Sequence, residues 1–372
     1  MDRCDVLIVG GGPAGSSCAR TLRLAGLDVV VMDKAAFPRD KTCAGWITPA
    51  VIELLDLDVD DYRRQHVFQP ISGFRTGLID GPALETGLDR AVSYGIRRCE
   101  FDTYLLRRAD ARLREGEPFA QLVRSADGWL VNDTLKTPVI VGAGGHFCPV
   151  ARVLGAEVGH NELAVRAQES EFALDPAQRA ACRCQPGVPE LYFCRDFKGY
   201  GWCMRKGDFL NIGLGREGEH GLARHVTEFH GFLTTAGRIP AGLVPRFKGH
   251  AYLLYQHARR TLLDDGVLLA GDAAGLASTR SGEGIRPAIE SGLLAAATLL
   301  QAQGDYSRAA LEPYRTRLLA RFGPRDVRDF TAWLPPGIRS RLAERLMNNR
   351  WFVRHVMLER WFLNAHQPAL RI

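Results

Sequence analysis

Two hydrophobic rhythms divide this chain of 372 residues. The first is the unbroken apolar run. Asp5-Val6-Leu7-Ile8-Val9 lacks polar alternation, the pattern of a parallel strand buried on both faces, and leads through a glycine turn into a helical stretch reaching about Ala25. A second run, Asp28 to Met32, ends at Asp33, and Val139-Ile140-Val141 and Val267-Leu268-Leu269-Ala270 repeat the pattern downstream. A helix is expected from Ser281 to about Leu300. The second rhythm is short alternation between about Gly155 and Arg260. Glu190 to Cys194 and Gly201 to Arg205 read as antiparallel strands, and Phe209 to Gly215 folds back through a Lys206-Gly207-Asp208 turn. Pro335-Pro336 is a breaker, after which Ile338, Leu342, Leu346, Phe352, Val353, Val356 and Phe362 recur at near-helical spacing. The predicted fold class is α/β: a Rossmann-like dinucleotide-binding domain with an inserted antiparallel sheet and a helical C-terminus.

Composition narrows the setting. Hydrophobic residues make up 46% and charged residues 24%, which excludes a disordered, collagen-like or coiled-coil chain. No apolar run approaches a membrane span, and Val6 to Val9 is too short for a signal-peptide core. The nine cysteines are an odd, scattered set without C-x-x-C, so neither a zinc site nor a disulfide framework is expected and a reducing cytosol fits. His146 and Cys148 are too few and too local to hold a metal.

The net charge of +6 is concentrated at one end. From Gly337 onward there are seven Arg and two Glu, or +5, leaving +1 for the rest, so nucleic acid is not an expected partner. Arg339, Arg341, Arg345, Arg350, Arg354 and Arg360 interleave with the apolar positions and with Trp351 and Trp361. Such a helix either lies on an anionic membrane surface or packs on the body with a solvated basic face.

Candidate chemistry begins at Gly10-Gly11-Gly12-Pro13-Ala14-Gly15, a G-x-G-x-x-G between strand and helix. Gly10 permits the tight turn, Gly12 admits a pyrophosphate to the backbone, and Gly15 lets helix and strand pack closely. Asp33 stands where an acid holds a ribose hydroxyl. One dinucleotide site is expected. Arg98-Cys99-Glu100-Phe101-Asp102 opens an amphipathic helix, where Asp102 by itself reads as a complement to the helix dipole. Gly271-Asp272 ends a strand, and bare N–H groups around Gly282 and Gly284 at a helix start favour negative charge.

Together these segments resemble the flavoprotein superfamily of aromatic hydroxylases and geranylgeranyl reductases, whose marks appear here in order over residues 1 to about 300. The resemblance implies bound FAD. It places Gly10, Gly12, Pro13, Ala14, Gly15, Asp33 and Lys34 on the adenosine and pyrophosphate side, with Arg98 near the pyrophosphate. It places Gly271 and Asp272 on the ribityl chain, and Gly282, Gly284 and Ile285 at the isoalloxazine. Lys41-Thr42-Cys43-Ala44-Gly45-Trp46 is similar to the K-x-C-G-G segment of geranylgeranyl reductases, in which a cysteine lies beside the flavin. Tyr200-Gly201-Trp202-Cys203-Met204-Arg205-Lys206 is similar to their Y-x-W-x-F-P-K, with Met204-Arg205 in place of Phe-Pro and Ala44 in place of a glycine. Gly144 stands where the hydroxylase branch carries an Asp, and no W-x-W-x-I-P segment of halogenases occurs.

The implied domains are FAD-binding (1–75, 95–155 and 260–310), a substrate-binding antiparallel sheet (76–94 and 156–259) and a C-terminal helical cap (311–372). The implied activity is FAD-dependent reduction of carbon–carbon double bonds in an isoprenoid or other hydrophobic substrate. Cys43 is the candidate proton donor, since thiols ordinarily carry their proton at neutral pH. Tyr200 and Trp202, on one face of a strand, are candidate walls of an apolar tunnel. The electron donor would be NAD(P)H or a reduced protein carrier, and the location cytoplasmic, with peripheral contact at the inner membrane face. A flavin monooxygenase acting on an aromatic substrate and a non-catalytic flavin-binding electron carrier are the alternatives.

Overall fold

The computed structural model describes residues 1–125, 127–159, 162–218, 221–325 and 336–371. Pro335 of the expected breaker lies outside the described residues, as do the side chains of Ile338 and Arg339.

A six-stranded sheet carries the N-terminal glycine turn. Its order is Leu263–Asp264, Val267–Leu269, Val139–Gly142, Val6–Val9, Val29–Asp33 and Arg112–Glu115, parallel except for the first pair. Valine, isoleucine and leucine fill its central strands because both faces are covered. Their core includes Ala14, Cys18, Ala19 and Leu22 of helix Pro13–Leu24 and also Val131 and Leu135 of a four-stranded sheet in the order Asp2–Arg3, Leu135–Thr137, Gly128–Val131 and Leu122–Ser125. Helix Pro13–Leu24 starts with proline at its first turn, where the missing N–H has no intrahelical role. Its small residues let it lie close to helix Ile285–Ala302: a Cβ on Gly292 would stand 2.2 Å from the Ala14 carbonyl oxygen. That second helix begins at Ile285, and Gly271–Ala274 before it forms a single 3₁₀ turn.

The second large sheet has seven strands in the order Lys248–Leu253, Ala164–Ala173, Phe209–Glu217, Gly199–Lys206, Glu190–Phe193, Gly73–Leu78 and Ala83–Gly87. It is antiparallel except between Glu190–Phe193 and Gly73–Leu78. Lys206 pairs with Phe209 around a Gly207-Asp208 turn, with Gly207 at φ +56°. The G-x-G-x-x-G spacing recurs from Gly213 to Gly218. Here it runs through an antiparallel strand, and Gly213 makes room for the Trp202 ring, whose Cζ2 would lie 2.2 Å from a Cβ. A small sheet of Trp46–Ile47, Ser93–Ile96 and Phe68–Ile71 bridges the two large ones.

The C-terminal region is helical, with segments Arg308–Phe322, Pro336–Met347 and Arg350–Phe352 and a wide π-helical stretch Val353–Phe362. The break at Asn348-Asn349 and the wider turn shift the register away from a simple helical stripe. Val353, Met357, Leu358 and Phe362 are buried with Ile71, Phe74, Trp202 and Met204 of the body. Leu342 and Trp351 remain exposed. Among the described residues, no helix is long and apolar enough to cross a membrane.

Candidate cofactor and substrate site

A cleft of about 370 Å³ runs from the glycine turn to the face of the antiparallel sheet. It brings together Gly10, Gly12, Pro13, Ala14, Asp33, Lys34, Lys41, Cys43, Ala44, Arg98, Tyr200, Trp202, Gly271, Asp272, Gly282, Gly284 and Ile285 from the two large sheets and their connections. Of the expected site residues, Gly15 and Gly45 do not border it. Both act behind the wall. A Cβ on Gly15 would lie 1.9 Å from the Gly10 carbonyl oxygen, so only glycine lets the turn close. Gly45, at φ +67°, would carry its Cβ 2.1 Å from the Ile96 carbonyl oxygen.

At the cradle end, Asp33 is already engaged: one carboxylate oxygen accepts from Gly11 N–H at 2.8 Å and the other from Ala35 N–H at 2.9 Å. It stiffens the glycine turn and keeps lone pairs for a ribose hydroxyl. Asp102 is not the helix-dipole complement expected of it. Helix Arg98–Arg108 places it in the second turn, fully buried, where it takes both Arg98 Nε and Nη2 at 2.8 Å. Arg39, which sequence reasoning did not single out, pairs with the same carboxylate at 3.3 Å. Its Nη1 is buried without a partner, and its Nη2 lies 3.5 Å from where a Gly12 Cβ would be. A buried cationic donor aimed at a helix N-terminus fits a pyrophosphate.

Deeper in the cleft Lys41, His250 and Asp272 meet. Lys41 Nζ is 2.6 Å from His250 Nε2, and that nitrogen is 3.6 Å from Asp272. Burial lowers Lys41 to about 8 against the opposing pull of Asp272, and burial with the Lys41 charge lowers His250 as well. Burial works to raise Asp272, but His250 and Lys41 outweigh it and hold the carboxyl at about 2. An ionised Asp272 is a ready acceptor for a sugar hydroxyl.

The far end is aromatic. Trp46, Tyr200, Trp202, Tyr252 and Phe362 border it, with Trp46 stacked 5.9 Å from Phe362 and Tyr200 edge-on to Phe362 at 5.4 Å. The polar ends of the two expected aromatics are both engaged: Tyr200 donates to the Ser281 carbonyl at 2.5 Å and Trp202 Nε1 to Asn211 at 2.7 Å. They present walls rather than free donors. Glu283 also faces the cleft. Its Oε1 has no partner, Asn364 donates to its Oε2 at 3.1 Å, and burial pushes it up to about 7 despite nearby Arg286.

Cys43 sits where the two ends join, on a loop anchored from below by the antiparallel sheet. Glu169 accepts from Cys43 N–H at 3.2 Å, and Asn211 Nδ2 donates to the Cys43 carbonyl at 3.1 Å. Lys206, fully buried, donates to the carbonyls of Ala44 and Ile96 at 2.9 Å each and pairs with Glu171. One visible signal for these anchors was Asn211, a lone polar residue in the apolar run Phe209 to Gly215. His146 is taken up by Arg260 at 3.3 Å, and burial lowers it to about 4. Among the described residues no group of three or more metal-ligating side chains is found.

A parallel sheet, a glycine turn under a helix N-terminus, an unpaired buried Arg39 nitrogen and an ionised Asp272 along one cleft fit FAD. The protein is an FAD-dependent oxidoreductase. The family model described as "FAD binding domain" matches residues 3–63. The chain is 31% identical over 330 residues to a menaquinone reductase of Mycobacterium tuberculosis, covering 80% of this chain and 77% of that protein. It is 28% identical over 348 residues to a chloroplastic geranylgeranyl diphosphate reductase of Oryza sativa, covering 86% and 71%. A geranylgeranyl bacteriochlorophyll reductase-like structure from Thermoplasma acidophilum shares the fold, with a TM-score of 0.75 at 20% identity over 93% of this chain and 88% of that one. The chain belongs to the geranylgeranyl reductase family of FAD-dependent flavoproteins.

Proposed function

We propose that this protein saturates carbon–carbon double bonds in the isoprenoid chain of a hydrophobic substrate. The observation that carries this reading is the meeting of Cys43 with an aromatic chamber at the end of the FAD cleft. Bound, reduced FAD supplies a hydride to one alkene carbon. Trp46, Tyr200, Trp202, Tyr252 and Phe362 enclose the prenyl chain and exclude water. The Cys43 thiol delivers the proton to the other carbon. Gly10, Gly12, Pro13, Ala14 and Arg39, which border the cleft, would hold the pyrophosphate, Asp33 and Lys34 the adenosine side, Asp272 the ribityl chain, and Gly282 to Ile285 the flavin ring.

Similarity to a menaquinone reductase and to a geranylgeranyl diphosphate reductase supports a prenylated substrate. The electron donor in this reading is NAD(P)H or a reduced protein carrier. Exposed Leu342 and Trp351, flanked by Arg341, Arg345, Arg350 and Arg354, are the surface we assign to peripheral contact with an anionic membrane on the cytoplasmic side.

The test is anaerobic. The holoenzyme is reduced with dithionite, geranylgeranyl diphosphate is added, and the visible flavin band is followed. Return of the band with a saturated product supports the reading. A band that stays bleached until air enters excludes this substrate and favours oxygen chemistry.

A further inference from the structure

Behind the Cys43 loop lies a second cavity of about 630 Å³. Cys43 borders both cavities. The first is aromatic on its substrate side, whereas the second is walled by charged side chains that include Arg97, Glu169, Glu171 and Lys248. Its rim is the 242–246 segment, where Val244 is 89% exposed, so it faces solvent.

We propose that this second cavity is a proton inlet and that Glu169 relays a proton from solvent to the Cys43 thiolate after each turnover. The inference rests on Cys43 as the proton donor of the proposed reaction. The steps balance. The thiol S–H bond breaks as the alkene carbon gains its proton, and the two electrons arrive with the hydride from reduced FAD. A Glu169 O–H bond then breaks as the S–H bond re-forms, and water in the second cavity returns a proton to the carboxylate. No further oxidant or reductant is needed.

Glu169 is bonded to the main chain that carries the thiol, directly and through Asn211. Its Oε2 takes Cys43 N–H at 3.2 Å and its Oε1 takes Asn211 Nδ2 at 3.0 Å, while Asn211 also holds the Cys43 carbonyl. The groups facing it are Glu171 on its own strand, Lys206 from Gly199–Lys206, and Lys248, its register partner on Lys248–Leu253. Asp40 and Lys41 come from the loop, Arg97 and Arg98 from the start of helix Arg98–Arg108, and Arg246 from the rim. Burial, reinforced by Glu171 and opposed by Lys206, pushes the Glu169 carboxyl up to about 7. At that value it both gives and takes protons at neutral pH. The first cavity offers no comparable path. Tyr200 O–H is committed to Ser281, and Glu283 borders the first cavity and not the second.

The test reads Cys43 without turnover. Holoenzyme is treated with iodoacetamide between about pH 5 and about pH 9, and alkylation of the Cys43 peptide is followed by mass spectrometry. Wild type is expected to show an inflection near 7 from Glu169 ionisation. Glu169→Gln, checked for flavin content and circular dichroism, loses the inflection, and Glu283→Gln keeps it. In single turnovers with geranylgeranyl diphosphate, Glu169→Ala slows flavin reoxidation by about 100-fold, and formate entering the vacated cavity restores it. Superimposable wild-type and Glu169→Gln alkylation profiles overturn the proposal, as does a slowed Glu169→Ala that formate leaves unchanged. Full turnover by Cys43→Ala overturns instead the reading on which it rests, an outcome the alkylation profile does not share.

Discussion

At the cradle, Gly10 to Gly15 are held by main-chain geometry, with two side chains tying the turn at Gly11: Asp33 accepts from its N–H and Ser16 donates to its carbonyl. At the Cys43 loop, in the same cleft, the main chain is held by buried ionisable and amide side chains: Glu169, Asn211 and Lys206. The first arrangement is intolerant of added volume. The second tolerates little loss of charge and responds to protonation. A cofactor that stays bound suits the rigid support. A loop that handles protons suits the ionisable one.

Lys206→Met should separate the two regions most strongly. It leaves the Ala44 and Ile96 carbonyls without their donor and removes a charge partner of Glu171, at about 3 kcal/mol or more of stability in urea unfolding. A loss under about 1 kcal/mol would show that the loop does not depend on this lysine. Phe362→Ala should cost about 3 kcal/mol by the same measurement, because the ring is buried between Trp46 and Tyr200. Gly15→Ala acts on the cradle instead. We expect FAD affinity to fall by about 100-fold, about 2.7 kcal/mol, measured by equilibrium dialysis, and unchanged affinity would refute the close-approach argument.

The pH response has a definite sign. Glu169 has a folded pKa raised to about 7 from an ordinary 4.5, so the folded state holds the proton more tightly than the unfolded chain. Its contribution to stability is most favourable below about 4.5 and declines as pH rises to about 7. Glu169→Gln should flatten that part of the stability–pH curve, and an unaltered slope would assign it to other groups. The smallest effect is expected at Trp351, 65% exposed, where Trp351→Ala should change stability by no more than about 0.5 kcal/mol. Its readout is vesicle binding: undiminished association with anionic vesicles would remove the surface assigned to the membrane.

The same contrast explains what was legible in the sequence. Gly10, Gly12, Gly15 and Asp33 could be read because the turn, the helix start and the acid at the next strand end are related by short-range geometry. Cys43, Tyr200 and Trp202 came from family resemblance, and the structure brings them to the same cleft. Arg39 lies in an irregular stretch after Pro38 with no periodicity to single it out. His250 and Glu169 meet Lys41 and Cys43 from strands more than a hundred residues away, and Glu169 sits in Ala164–Ala173, whose charges do not alternate cleanly. Their roles depend on sheet register, which one chain does not state. In the C-terminal helix the alternative of packing on the body was legible, but not Met357, which falls outside the apolar series and which the π-helical stretch buries together with Phe362.

Near its far end the chain is tied back to the start of the flavin-side helix. Arg286 donates to the carbonyls of Gln367 and Pro368, Arg321 reaches both Glu290 and Pro368, and Asn364 holds Glu283. During synthesis on the ribosome, a nascent chain that has emerged only as far as Ala302 already owns every strand of the six-stranded sheet, yet lacks Phe362, Asn364 and this tether. Such an intermediate has its dinucleotide cradle and an aromatic chamber that lacks one wall, Phe362. Cofactor uptake and substrate competence are therefore separable in time, and chains arrested on either side of Phe362 should retain flavin alike while differing in their ability to shelter a lipid.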